Sequence, residues 1–157
     1  MMTRNFSRHE FACRCGCGLA EPHPALVVWL QDFRDIIRAP VVITSGSRCQ
    51  VHNKAIGGAP DSYHTPRTDY DGYTCAADIL VMSHPLVTVV DMLETMGRFG
   101  GIAPYLLLDT AWVHVDVRGV NGLSVPPYRE GWIDRQKADI EAVLEEEALR
   151  RKARGQA

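Results

Sequence analysis

Three side chains able to hold a divalent ion stand out along the sequence. His64 follows Asp61-Ser62-Tyr63, Asp78 follows Cys75-Ala76-Ala77, and His114 lies within Trp112-Val113-His114-Val115-Asp116-Val117. Imidazole nitrogens and carboxylate oxygens are donors that zinc and other first-row ions accept. Strand alternation puts Trp112, His114 and Asp116 on one face and Val113, Val115 and Val117 on the other. A His and an Asp on one face, opposite three valines, mark either a polar site or a solvent face. Spacing alone does not separate the two, and a single His is more often structural than a ligand.

Thiols form a second group. Three of the five cysteines crowd into Cys13-Arg14-Cys15-Gly16-Cys17. An odd total excludes a fully paired disulfide framework within one chain. The spacing C-x-C-x-C also departs from the C-x2-C pairs of zinc ribbons. In a reducing compartment the plain expectation is free thiols, some buried as small apolar side chains. Cys49, beside Arg48, lies in a segment able to pack near the N-terminus, so a partnership with Cys13, Cys15 or Cys17 stays open. No flanking pattern marks a thiolate nucleophile, and a structural role is favoured over a catalytic one.

The elements that must position these groups follow from periodicity. Pro22 and Pro24 open a helix with Leu26, Leu30, Phe33 and Ile37 on one face, and Pro40 ends it. Residues 41–44 form a short β-branched run expected to be a buried strand. Residues 45–73 shift to Gly, Pro, Ser, Asp, His and Tyr, a loop too long to be an idle connection. Strand character returns over residues 76–82. Ser83 is the candidate cap of a helix containing Leu86, Val89, Val90, Leu93 and Met96, which stops at Gly97. Two adjacent strands follow over residues 102–108 and 112–117, favouring antiparallel pairing. A charged helix is expected over residues 134–151, with Glu146–Arg150 and Glu147–Arg151 in the favourable i,i+4 order. The division proposed is a domain over residues 1–130 and a charged helix and tail over 131–157.

Composition narrows the function classes. Of 157 residues, 46% are hydrophobic and 23% charged, ordinary globular values that argue against wholesale disorder. Lys and Arg total 17 against 19 Asp and Glu, a net charge of −2, which weighs against a dedicated nucleic-acid binder. No apolar run approaches the roughly 20 residues of a membrane helix. The first 18 residues show no apolar h-region of a Sec signal. The expectation is a monomer made in the cytoplasm.

Six segments then occur in an order that resembles a known family. They are Ser45-Gly46-Ser47-Arg48-Cys49, His52-Asn53, Gly57-Gly58-Ala59, Ser62-Tyr63-His64, Ala76-Ala77-Asp78-Ile79 and Val113-His114-Val115-Asp116-Val117-Arg118. Together they resemble the zinc D-alanyl-D-alanine carboxypeptidases and related phage peptidoglycan peptidases, whose metal site is shared by the hedgehog signalling domain. That pattern runs S-G-x-R, then S-x-H-x-x-G-x-A-x-D, then a strand H-x-D. The opening Glu10-Phe11-Ala12-Cys13 with Cys15-Gly16-Cys17-Gly18 also resembles the start of many members, so the likeness covers residues 5–118.

The resemblance implies a small α+β fold, with helices packed on a mainly antiparallel sheet and zinc at its edge. It implies one zinc ion per chain held by His64, Asp78 and His114, with an open fourth position for an acidified water and for the scissile carbonyl. Arg48 matches the arginine that receives a substrate carboxylate or polarises the carbonyl, and a planar guanidinium suits a bidentate carboxylate contact. The substrate class implied is the peptidoglycan stem peptide, cleaved by a carboxypeptidase or a phage-type endolysin acting on the cell wall. Ser62 is placed beside the substrate or in a turn.

Two departures from the pattern carry expectations of their own. Thirteen residues separate His64 from Asp78 where the pattern has six, and Thr74 replaces its glycine. The extra stretch is expected to bulge outward or to line the substrate groove, with Tyr70 and Tyr73 contacting sugar or peptide. Asp69 and Asp71 become rival ligands to Asp78. The acidic residue that better-known members carry three positions before the last histidine is Ala111 here. Asp116 and Asp109 are the candidate bases, Asp116 alternatively hydrogen-bonding a ligand. A missing base keeps a second reading in view, a non-catalytic zinc module that recognises cell wall or protein.

Overall fold

The computed structural model of the chain describes residues 2–107 and 110–119. Helix α1 spans Pro24–Ile37. The Nδ1 of His23 accepts the Ala25 N–H, Pro24 occupies the first turn, and Arg38 ends the helix in the left-handed region at φ 54°. Its buried face is Leu26, Val27, Leu30, Phe33 and Ile37, as the spacing predicts. Helix α3, Leu86–Met96, buries Val89, Val90 and Leu93 and stops at Gly97, φ +64°. Its N-cap is Pro85 and not Ser83; the Ser83 hydroxyl bonds the His84 ring instead.

Four strands, β1 (Val42–Ser45), β2 (Ala76–Leu80), β3 (Gly101–Leu107) and β4 (Thr110–Asp116), form one sheet in the order β1-β2-β4-β3. Every neighbouring pair is antiparallel, which gives the expected α+β class. Register sorts the side chains. Ala77 faces Val115 and Ile79 faces Val113 across β2 and β4, while Ile102 faces Val115 across β3 and β4. These residues are buried in the same core as the apolar faces of α1 and α3. The alternate positions pair Asp78 with His114, and set Asp116 between Ala76 and Gly101.

The long segment between β1 and β2 is not structureless. It contains a short helix α2, Gln50–Ala55, capped by the Cys49 side chain, and a single 3-10 turn at Thr68–Tyr70. Sequence reasoning passed over α2 because six residues are too few to show a 3.6-residue period. The N-terminal segment, expected as irregular, includes a 3-10 turn at Arg8–Phe11. The charged helix over residues 134–151, the division at residue 130 and Asp109 lie outside the described residues.

Candidate metal centre

Asp78 and His114 are directly opposite one another on β2 and β4, so their side chains leave the sheet on one face within contact distance. A register irregularity between Ile43 and Ser45 brings Ser45 opposite Asp78, and the Thr44 hydroxyl donates to the Asp78 carbonyl. His64 comes from outside the sheet. Its segment is held on both sides, by Arg48 N–H donating to the His64 carbonyl at 2.7 Å and Cys75 N–H donating to the Tyr63 carbonyl at 2.7 Å. Asn53, buried within α2, donates to the Ala59 carbonyl and fixes the path that leads there.

Three donor atoms converge. His64 Nε2 lies 3.1 Å from His114 Nδ1 and 3.2 Å from Asp78 Oδ1, and His114 Nδ1 lies 3.0 Å from the same oxygen. A tetrahedral ion with bonds of about 2.0–2.1 Å spaces its ligand atoms about 3.3–3.4 Å apart. The triangle is therefore close to that of a bound ion.

The outer nitrogens decide which inner ones are bare. His64 Nδ1 donates to the Gly46 carbonyl at 2.7 Å, and His114 Nε2 donates to Asp116 Oδ2 at 3.2 Å. With each ring proton held outside, two lone pairs and a carboxylate oxygen face one point. One proton can bridge only one pair of them, whereas a cation satisfies all three.

Electrostatics agree. Burial lowers the His64 pKa, keeping that ring neutral. Burial would raise Asp78, but the His114 and His64 rings beside it outweigh that and hold its carboxyl well below the usual range. Burial would lower His114, yet the Asp116 and Asp78 carboxylates raise it to about 9. Without an ion, that extra proton takes the cation's place.

Asp116 is fully buried, and its carboxylate is occupied by His114 and by Arg118, which donates from Nε, Nη2 and its own amide. Burial would raise its pKa; Arg118 and His114 bring it down to about 2. It touches the outer nitrogen of His114, on the far side of the ring from the inner triangle. In this arrangement Asp116 hydrogen-bonds the outer nitrogen of His114, the alternative place the sequence allows it.

A family model described as peptidase M15 matches residues 4–116. The chain belongs to the peptidase M15 family. Membership implies a metal-dependent peptidase, and the convergent triangle lies within the matched region. A comparison with curated proteins finds no match.

Several other expected site residues occupy different places in this M15 peptidase. Arg48 does not reach toward open space: Nη2 donates to Asp78 Oδ2 at 2.7 Å and Nε to Ser45 Oγ at 2.9 Å. Through this contact Arg48 steadies Asp78. The Ser62 hydroxyl accepts the His64 N–H at 3.2 Å and shapes the turn.

The inserted stretch exposes Pro66, Thr68, Asp69, Asp71 and Gly72 but turns Tyr70 inward, away from any groove. Tyr70 is 1% exposed, and its hydroxyl accepts the Gly119 N–H at 2.9 Å. Tyr73 packs edge-on against His23. Asp69 pairs with Arg67 and, with Asp71, stands outside the triangle. Thr74, in place of the pattern's glycine, is fully buried and joins the Glu21 carbonyl to the Ser47 hydroxyl.

Sequence reasoning missed three contributors. A Cβ on Gly101 would meet Asp116 Oδ2 at 2.2 Å, and one on Gly100 would meet the Arg118 carbonyl at 2.0 Å. A glycine pair opening a strand signals close approach of another group. The third is Tyr63, over whose ring the Arg67 and Arg118 guanidinium carbons lie at 4.2 and 4.5 Å.

Proposed function

We propose that this chain is a zinc peptidase that hydrolyses a peptide bond in the peptidoglycan stem peptide, as a carboxypeptidase or a phage-type endolysin. The observation carrying this reading is the triangle of His64 Nε2, Asp78 Oδ1 and His114 Nδ1, each atom 3.0–3.2 Å from the others. Two imidazoles and one carboxylate form the ligand set of a catalytic zinc, and borderline-soft nitrogen with oxygen suits zinc over calcium or magnesium. Zinc bound there supplies Lewis acidity to the scissile carbonyl and a water whose pKa falls to about 7.

The chain's own residues prepare that chemistry. Gly46 and Asp116 take the outer imidazole protons and so aim the inner lone pairs. Arg48 and Arg118 keep the two carboxylates ionised and fixed. Tyr63, adjacent to His64, is stacked with Arg67 and Arg118, which fixes the aromatic ring next to that ligand. The protein is proposed to act as a monomer on the cell wall.

One observation favours the second reading, a zinc module that recognises cell wall without cleaving it. Among the described residues, Asp78 is the only carboxylate in the triangle, and Asp116 faces away from it. Mass spectrometry of muropeptides incubated with zinc-loaded protein separates the two. A new, chelator-sensitive product identifies the bond cleaved, and intact muropeptides with retained zinc would establish the binding module.

A further inference from the structure

Cys13, Cys15, Cys17 and Cys49 are drawn together although none takes part in the triangle. All four sulfurs lie within 4.8 Å of one another. Cys13 and Cys15 are 3.4 Å apart, and Cys15 and Cys49 3.7 Å. An extended chain would spread Cys13, Cys15 and Cys17 at intervals of about 6.6 Å along its axis. Here the loop is curled: Gly16 and Gly18 adopt φ +78° and +84°, and the Cys13 N–H closes the turn on the Leu19 carbonyl at 2.7 Å. Cys49 arrives from 32 residues further on, counting from Cys17, at the start of α2. Arg14 pins the loop to β1 through the Ile43 and Thr44 carbonyls.

Four sulfurs at mutual contact are the arrangement of an ion's ligands. Bonds of about 2.3 Å in a tetrahedral thiolate site place sulfurs about 3.8 Å apart. Two disulfides would instead draw the atoms into two pairs at about 2.0 Å. Backbone donors also address the sulfurs, Cys49 N–H to Cys13 Sγ at 3.4 Å and His52 N–H to Cys49 Sγ at 3.3 Å, and such donors stabilise thiolate charge.

We propose that Cys13, Cys15, Cys17 and Cys49 form a second, structural metal site that takes one thiophilic divalent ion, zinc by its preference for four thiolates. Binding forms four metal–sulfur bonds and releases the protons of those thiols that are not already ionised. The ion would tie the N-terminal loop to the residue next to Arg48. It also lies close to a junction that serves the other site: Ser47 N–H donates to the Phe11 carbonyl at 2.8 Å, and a Cβ on Gly46 would meet Phe11 Cα at 2.6 Å. The loop that carries the thiols thus braces the carbonyl that orients His64.

The test is elemental analysis of full-length protein prepared under reducing conditions with zinc present. About two zinc ions per chain are expected. A Cys13→Ser/Cys49→Ser variant should retain about one, and so should His64→Ala/His114→Ala, with different sites emptied. Cobalt substitution tells them apart: the thiolate-to-cobalt charge-transfer absorption should persist in the histidine variant and vanish in the cysteine variant. Should the cysteine variant fail to fold, titrating wild-type protein with a mercurial reagent should release about one zinc per chain as the four thiols react. Wild-type protein without the thiolate band, or with Cys49 recovered in a disulfide and no thiol-bound ion, would overturn the proposal. Loss of the histidine-site ion alone would leave that band intact, so the two sites fail separately.

Discussion

The two faces of the sheet are built from the same strands on opposite principles. On one, Ala77, Ile79, Val113, Val115 and Ile102 bury apolar surface against α1 and α3, and side chains of similar chemistry substitute for one another with graded cost. On the other, Asp78, His114 and Asp116 bury charge, and each is held by a specific partner with a specific atom. That polar face is lined with small residues, Ala76, Ala103 and Gly101, because carboxylates and imidazoles need the room. The apolar face provides a stiff platform, and the polar face uses that stiffness to keep three donor atoms at ion spacing.

The largest effect that would sharpen this contrast comes from Asp78→Ala. It removes a ligand and leaves Arg48 beside two histidines without a counter-charge. Hydrolysis of muropeptides should fall at least about 1,000-fold, about 4 kcal/mol of transition-state stabilisation, with loss of metal from the histidine site by elemental analysis. Asp116→Asn keeps the shape but weakens the hold on His114 and Arg118. Metal affinity, measured by competition with a chelating dye, should drop by about 10–100-fold while the fold is retained.

Gly101→Ala attacks the same carboxylate from β3. Its methyl group should displace Asp116, weaken metal binding by about tenfold and destabilise the protein by about 1–3 kcal/mol in urea denaturation. Val115→Ala is the counterpart on the apolar face. It should cost about 2 kcal/mol of stability and leave metal affinity unchanged. A loss of metal from that variant would show that the two faces are not separable.

The smallest effect is a proton count. In the metal-free protein His114 is raised to about 9, so it is protonated below that pH, and an entering ion must expel the proton. Calorimetry in buffers of different ionisation enthalpy should report about one proton released at the histidine site at pH 7.5, falling toward zero above pH 9. Apparent affinity should accordingly rise as pH increases toward 9. The Cys13→Ser/Cys49→Ser variant isolates this site for the measurement.

What was legible in the sequence follows the same division. Strands and long helices declared themselves through period, because their apolar faces repeat and local periodicity is all that such a face requires. The triangle was legible only through ordered motifs: His64, Asp78 and His114 lie far apart along the chain and share no period. Roles within the site were the least legible. Arg48 and Asp116 carry charges that fit either substrate or a neighbouring side chain, and only the position of the neighbour chooses. Tyr70 misled because an aromatic residue among Thr, Asp and Gly resembles a surface loop, whereas its ring is core and its hydroxyl meets a backbone amide. The cysteines carry no flanking mark of a nucleophile in the sequence, but only the curvature at Gly16 and Gly18 brings them to one point.

The hydroxyl of Tyr70 has one more consequence. It receives the amide of Gly119, three residues past the end of β4, and belongs to the stretch inserted between two ligands. The insertion works as mortar: its Tyr70 holds the residues just past the last strand, beside Tyr63 and Arg118. Shortening that stretch toward the family spacing would leave the triangle's own residues untouched and still unmoor the exit of the last strand. A segment that lengthens the path between two ligands is, in this molecule, what fastens the chain beyond the third.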